Sequence, residues 1–268
     1  MDESLSLKNG NLDFVGSITI HGDVPTGYTV NAKGDIKIYG MVEAATLTAG
    51  GSIFISEGLA GLQKGYIKAV EDIHVGYINQ GIVYAGSNIY VESSITHSQC
   101  VAKNHIYCQR GNIIGGTLSA GKSIEAKDIG NRLSSKTEII FGINKTVNDR
   151  EKRLIAEKKV LQDTLQKLSI IGEKLKSVSG GQDVKQRIAL LKQRNSYNKT
   201  LEKLAEVEKM LQEINAHLGN EHEAVLNVNG HIHPKVIVAF GKYQRKITKE
   251  HQYVQMKLER NEISFLSK

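Results

Sequence analysis

Six alanines recur at intervals of 16 to 20 residues (Ala32, Ala49, Ala69, Ala85, Ala102 and Ala120), and an isoleucine stands four residues after each. Those isoleucines are Ile36, Ile53, Ile73, Ile89, Ile106 and Ile124. Two positions before each alanine is a further apolar or thiol side chain (Val30, Leu47, Ile67, Val83, Cys100 and Leu118). Two positions after each isoleucine comes another, running Ile38, Ile55, Val75, Val91, Cys108 and Ala126. The unit therefore reads apolar-x-Ala, a short corner, then apolar-x-apolar, and alternation with period two marks strands with one buried face. A unit this short cannot bury its own apolar face; stacking copies in register does, because each apolar position then sits above its counterpart.

The pattern predicts a single-stranded parallel β-helix, a β-solenoid, over residues 16 to 142, right-handed by the general chirality of parallel crossovers. A propeller blade needs about 40 residues, which the period excludes. An antiparallel sandwich would not hold its corners at a fixed offset from an alanine. The corners Lys33-Gly34-Asp35, Gly50-Gly51-Ser52 and Gly86-Ser87-Asn88 are read as positions where residues that tolerate positive φ turn the chain.

Glycine and charge both change after residue 142. Of the 26 glycines, 20 lie in residues 1–142. That segment carries 11 Lys/Arg against 13 Asp/Glu, whereas residues 143–220 carry 16 against 10 and residues 221–268 carry 8 against 5. Beyond Gly142 the apolar period becomes seven, first through Val147, Leu154, Leu161, Leu168 and Leu175, then through Leu190, Tyr197, Leu204, Leu211 and Leu218. Ser177-Val178-Ser179-Gly180-Gly181-Gln182 separates the two series, with Asp183 as N-cap of the second. The expectation is a long antiparallel coiled-coil hairpin, polar and projecting, with an imperfect seam because Glu151 and Lys158 share companion positions with Leu165. Strand alternation returns at Val225, Val228 and Val236-Ile237-Val238, and Gly230 to Val236 echoes Gly22-Asp23-Val24-Pro25. The organisation expected is a β-helix at 1–142, a coiled-coil hairpin at 143–220 and C-terminal strands at 221–268 that close or extend the stack.

This order of features resembles the FapA family, flagellar assembly protein A, in which a glycine-rich β-helix is followed by a coiled coil. The resemblance rests on Gly22-Asp23-Val24-Pro25, Gly34-Asp35-Ile36, Ala49-Gly50-Gly51-Ser52-Ile53, Ile113-Ile114-Gly115-Gly116 and Thr137-Glu138-Ile139-Ile140-Phe141-Gly142, with Val228 to Gly241 matching the closing strands. It implies a part in bacterial flagellar assembly or positioning. The resemblance also implies a further N-terminal domain, which family members usually carry, whereas this chain begins almost at its first coil.

Gly116-Thr117-Leu118-Ser119-Ala120-Gly121-Lys122-Ser123 matches the P-loop pattern formally. A phosphate loop needs a helix after its Lys-Ser, yet Leu118, Ala120 and Ile124 sit in register with the other coils. Cys100 and Cys108 occupy ladder positions and read as small hydrophobes rather than a redox or metal pair. His231-x-His233 places two imidazoles on one strand face without a third ligand in sequence. His97-Ser98 and Asp128 assemble no catalytic constellation, and Asp35, Glu57, Asp72, Glu92 and Glu125 read as solvated edge charges. No catalytic, cofactor-binding or metal residue is expected.

What remains is a basic cluster around Gly180, comprising Lys174, Lys176, Lys185, Arg187, Lys192 and Arg194 against Glu173 and Asp183. Such a tip suits an acidic protein, anionic lipid or nucleic acid, or else is a solvated charged face of the kind helical hairpins carry; nucleic acid is disfavoured, since no stacking aromatic accompanies the charges. The reading is a non-enzymatic scaffold or protein-interaction factor, open to homo-oligomerisation. Two cysteines, no secretory leader and no run of about 18 apolar residues point to a cytoplasmic chain without a membrane span. The competing readings are a β-helix enzyme acting on a saccharide or nucleotide, and a nucleic-acid-binding protein using the basic tip.

Overall fold

The computed structural model of the chain describes residues 4–6, 10–133, 135–142, 145–177, 184–217 and 222–267. It is mainly β, a solenoid of about seven turns, together with two helices. Two compact units result: residues 1–144 with 218–268, and residues 145–217.

Three faces build the solenoid. The first stacks β1 (Leu12–Phe14), β3 (Thr29–Ala32), β6 (Thr46–Ala49), β8 (Tyr66–Ala69) and β10 (Ile82–Ala85) in parallel register. It continues through the ends of β11 (Ile89–Ala102) and β12 (His105–Ala120). Val30, Leu47, Ile67, Val83, Cys100 and Leu118 form one inward ladder and the six alanines the next, all of them buried. The second face stacks β2 (Ile18–Ile20) and β4 (Ile36–Ile38) onto the starts of β7 (Ile53–Ala60) and β9 (Ile73–Asn79). From there it runs along the starts of β11 and β12 to β13 (Ser123–Ile129).

A third ladder escaped the repeat search. Val24, Val42, Leu59, Ile78, Ile95, Ile113, Ile129 and Ile232 are fully buried and pair coil to coil, Val42 lying in β5 (Met41–Glu43). Its offset from the second face varies because the register shifts between Ile55 and Gly58, Val91 and Ser94, and Cys108 and Asn112. Bulges that add one or two residues destroy a fixed spacing without disturbing burial.

The stack also starts earlier than residue 16. Leu12 pairs with Val30 and Phe14 with Ala32, so a phenylalanine, exposed at this end of the stack, takes the first place in the alanine register. Phenylalanines end it too: β14 (Thr137–Phe141) sets Phe141 on Ala120, and β16 (Ile237–Phe240) sets Phe240 on Phe141. These two rings stack with centroids 4.7 Å apart.

The corner glycines work differently from the sequence expectation. Gly34, Gly50, Gly51 and Gly86 do not have positive φ. A Cβ on Gly50 would run into the carbonyl oxygen of Lys33, and one on Gly86 into that of Val70. Close approach between coils, not backbone handedness, excludes a side chain there. Left-handed residues occur at another corner, before the apolar-x-Ala strands, at Ala44 (φ 30°), Gln80 (φ 51°), His97 (φ 47°) and Gly115 (φ 71°).

Two of the expected edge charges, Asp35 and Asp72, are also corrected, because with Asp23 they are hydrogen-bond acceptors between coils. The Ser52 amide donates to Asp35 Oδ1 at 2.8 Å, the Asn88 amide to Asp72 Oδ1 at 2.9 Å and the Met41 amide to Asp23 Oδ1 at 2.8 Å. Ser17 Oγ accepts from the Asp35 amide, so side-chain oxygens climb the corner coil by coil. A carboxylate that caps a corner amide satisfies a backbone donor no strand reaches.

After the helices the stack resumes. β15 (Val225–Ile232) pairs parallel with β13, and β16 pairs parallel with β14. Thereafter the direction reverses. β17 (Tyr243–Lys246) runs antiparallel to β16, β18 (His251–Glu259) antiparallel to β15, and β19 (Glu262–Ser267) antiparallel to β18. Met256, Val254 and Leu258 are buried by this turn-back. The strands after 221 thus extend the solenoid by one coil and then cover its end.

The second unit contains α1 (Lys145–Ser177) and α2 (Val184–His217). Gln193 Nε2 donates to the Leu168 carbonyl at 2.6 Å, and Lys158 lies 2.9 Å from Glu208. Leu154 and Val207 are buried, while Leu161, Leu168, Leu175, Leu190, Tyr197, Leu204 and Leu211 are half-buried. The turn at 178–182, the Asp183 cap and Leu218 lie outside the described residues, as does the side chain of Val147.

Candidate functional site

The P-loop match is a piece of solenoid. Gly116 turns with φ 85°, Thr117 to Ala120 pair with Glu138 to Phe141, and Ser123 opens β13 rather than a helix. The Lys122 amide donates to the Asn104 carbonyl of the preceding coil, so the backbone donors a phosphate would need are already used. Cys100 and Cys108 are free and fully buried. Burial pushes the Cys108 thiol up to about 12, partly offset by a hydrogen bond from the Gly111 backbone. Burial also raises that of Cys100, with the neighbouring Cys108 adding to it. Such thiols stay protonated at neutral pH and are poor nucleophiles and ligands.

His97 and Ser98 form part of a corner. The Ser98 hydroxyl, itself buried, accepts from the Gly81 amide at 3.1 Å and donates to the Thr96 carbonyl at 2.7 Å. Asp128, by contrast, is brought to His231. Asp128 Oδ1 accepts from the His231 amide at 2.7 Å and stands 3.3 Å from its Nδ1. Gln252 Nε2 lies 2.8 Å from His231 Nε2, and Glu250 Oε1 lies 3.8 Å from His231 Nε2 and 3.7 Å from His233 Nδ1. Neither Asp128 nor Glu250 is close to the histidines in sequence; the β13–β15 and β15–β18 pairings bring them there. Among the described residues no three His, Cys, Asp or Glu side chains are arranged to hold a metal ion. The cluster ties the last parallel coil to the antiparallel strands that cover it.

Along the outer side of the second face runs an aromatic stack that sequence reading missed. His74 and Tyr90 stack at 4.4 Å between centroids, and Tyr90 and Tyr107 at 5.1 Å. Their outward position follows from the period-two alternation with buried Ile73, Ile89 and Ile106, and that spacing was the available signal. Beside them is an open groove of about 620 Å³, its wall including Glu92, Gln109 and Arg110 from the bulges of β11 and β12. The three rings lie nearly parallel, at interplanar angles of 8° and 17°. Among the described residues Glu92 is the one carboxylate lining the groove, and Glu125 Oε2 accepts from the wall residue Gln109 at 2.7 Å.

In the helical unit charge is segregated. Residues 164–200 carry 8 Lys/Arg against 2 Asp/Glu, whereas 145–163 and 201–217 together carry 8 against 8. Of the six basic residues singled out by sequence, Lys174, Arg187, Lys192 and Arg194 are exposed; the side chains of Lys176 and Lys185 lie outside the described residues. Large apolar side chains are exposed in the same stretch: Ile170 (46%), Ile171 (47%), Ile188 (48%) and Leu191 (62%). No described helix is long and apolar enough to cross a membrane.

The comparison with protein families decides the relationship. A model described as the flagellar assembly protein A β-solenoid domain matches residues 1–263. The chain belongs to the FapA family. That match spans both halves of the solenoid, the helices between them and the antiparallel strands β17 and β18. No curated protein and no solved structure matches this FapA chain. Its link to flagellar assembly therefore comes from the family alone.

Proposed function

We propose that this FapA chain is a non-enzymatic scaffold acting in flagellar assembly or positioning in the bacterial cytoplasm. In this reading the solenoid is the rigid part, with residues 143–220 inserted between its main stack and its closing strands. The helices form an antiparallel coiled-coil hairpin whose basic half, including Lys174, Lys176, Lys185, Arg187, Lys192 and Arg194, engages an acidic protein partner. The observation that carries it is the segregation of charge: the helical unit's entire excess of positive charge falls within residues 164–200. A helix pair solvated evenly on all sides has no need of such bias.

The pairing of Gln193 with Leu168 and of Glu208 with Lys158 supports the hairpin geometry, since residues late in α2 meet residues early in α1. The test is affinity capture from the native cell extract, comparing the full chain with a variant in which 145–217 is replaced by a flexible linker. Loss of a specific partner from the variant supports the reading, and equal recovery overturns it.

A further inference from the structure

α2 carries a second seam on the side turned away from α1. Gln193 marks the side facing α1, through its hydrogen bond to Leu168. At 100° per residue, Ile188 lies about 140° around the helix from Gln193, and Leu191 and Asn195 about 160°. Ile188 and Leu191 are 48% and 62% exposed, and Asn195 is exposed. Their spacing of three and then four, preceded by Val184 four residues before Ile188, is that of alternating d and a positions in a coiled coil. Val207, buried, falls within about 40° of Gln193 and belongs to the opposite side.

The residues flanking this seam are all basic. Arg187 and Arg194 each immediately precede an a position, so they stand at g; Lys185 and Lys192 each follow a d position, so they stand at e. In a coiled coil the e and g residues set partner choice through ion pairs across the seam. A second copy of the same seam would meet these four cations with its own, in either orientation. Asn195 at an a position adds a polar group of the kind that fixes register.

We infer that this face of α2 docks an amphipathic helix of a partner protein, one with apolar a and d residues and Glu or Asp at its e and g positions. The inference rests on the proposed docking role of the basic half and names what it takes. Nucleic acid would neutralise the charges but leave Ile188 and Leu191 without an apolar counterpart. The equivalent outer positions of α1, Asp163, Lys167, Ile170 and Lys174, contain one apolar residue among four, so α1 offers no such seam. The face spans 12 residues, short of two heptads and about 18 Å of helix, which sets a weak and salt-sensitive complex.

The probe is a fluorescein-labelled three-heptad peptide with Ile and Leu at a and d, one Asn at a, and Glu at every e and g. Its control carries Lys at every e and g. Anisotropy with the full chain should show the Glu peptide binding at least tenfold more tightly than the Lys peptide, the gap narrowing as salt rises. Arg187→Glu with Arg194→Glu should reverse the preference. Ile188→Ser with Leu191→Ser should abolish Glu-peptide binding, with circular dichroism confirming that α2 still forms. Equal binding of both peptides, or undiminished binding by the Ser variant, overturns the inference; so does sedimentation showing a dimer that the Ser variant dissolves. In the capture experiment above, a partner lost on deletion of 145–217 but kept by the Ser variant refutes the seam alone. A partner kept by both refutes the docking role as well.

Discussion

At the scale of single residues, the chain shows how a repeat can be right for a reason other than its apparent one. Gly86 was legible as a corner residue, yet its φ is not left-handed; what forbids a side chain is the Val70 carbonyl directly in the coil before. Gly27 is the converse, with φ 86° and open space around it. Gly27→Ala should therefore lose about 1 kcal/mol, the ordinary penalty for placing a Cβ in left-handed backbone. Gly86→Ala must displace one coil from the next and should lose about 1–3 kcal/mol, the larger of the two. Urea unfolding of both variants gives the ordering, and a Gly86→Ala variant as stable as the parent removes the close-approach account. The corner aspartates were equally visible in sequence and equally misread. A carboxylate on a corner looks solvated until the next coil's amide is placed 2.8 Å from it, as Ser52 is from Asp35.

Among the elements, what sequence disclosed was whatever repeats at constant offset. The first two faces and both helices met that condition, so the ladders and the presence of two helices could be read directly. The third face did not, since bulges shift it by one or two residues per coil, and burial of Ile95 or Ile113 left no mark at a fixed spacing. The ends of the alanine ladder were hidden for another reason. A ladder position is chosen by the room between neighbouring coils, and at the last coils that room admits Phe141 and Phe240, both fully buried. Phe240→Ala restores the residue found elsewhere in the ladder but leaves a cavity against Phe141. A cost of about 3–5 kcal/mol is expected from the lost ring. Phe141→Ala in the same background should then cost less than it does alone, because the two rings share one contact. A double-mutant cycle read by urea midpoints checks this; additive losses, or a Phe240→Ala variant of unchanged stability, rule out the fitted pair.

For the molecule as a whole, the decisive fact is which contacts span the interval from residue 143 to residue 221. β13 with β15 and β14 with β16 are parallel rungs like any other pair of neighbouring coils, though their partners stand 99 or more positions apart in sequence. No solenoid rung is contributed by α1 or α2. Exchanging 145–217 for a flexible Gly/Ser linker therefore removes helix while leaving every described ladder intact. Shortening the connection changes loop-closure entropy only as the logarithm of its length, about 0.6 kcal/mol per halving. The expected outcome is loss of most helical circular dichroism with the urea midpoint of the β unit almost unmoved. Ending the chain at residue 142 is a different matter. It strips Ile124, Ala126, Ile139 and Phe141 of the Leu226, Val228, Val238 and Phe240 that cover them, and bares a long parallel edge of the kind that aggregates. That truncation should be insoluble, or soluble without cooperative unfolding. If instead it folds as stably as the linker variant, the strands after 221 are an accessory to the solenoid rather than its end; if the linker variant fails to unfold cooperatively, the helices are part of what holds the coils together.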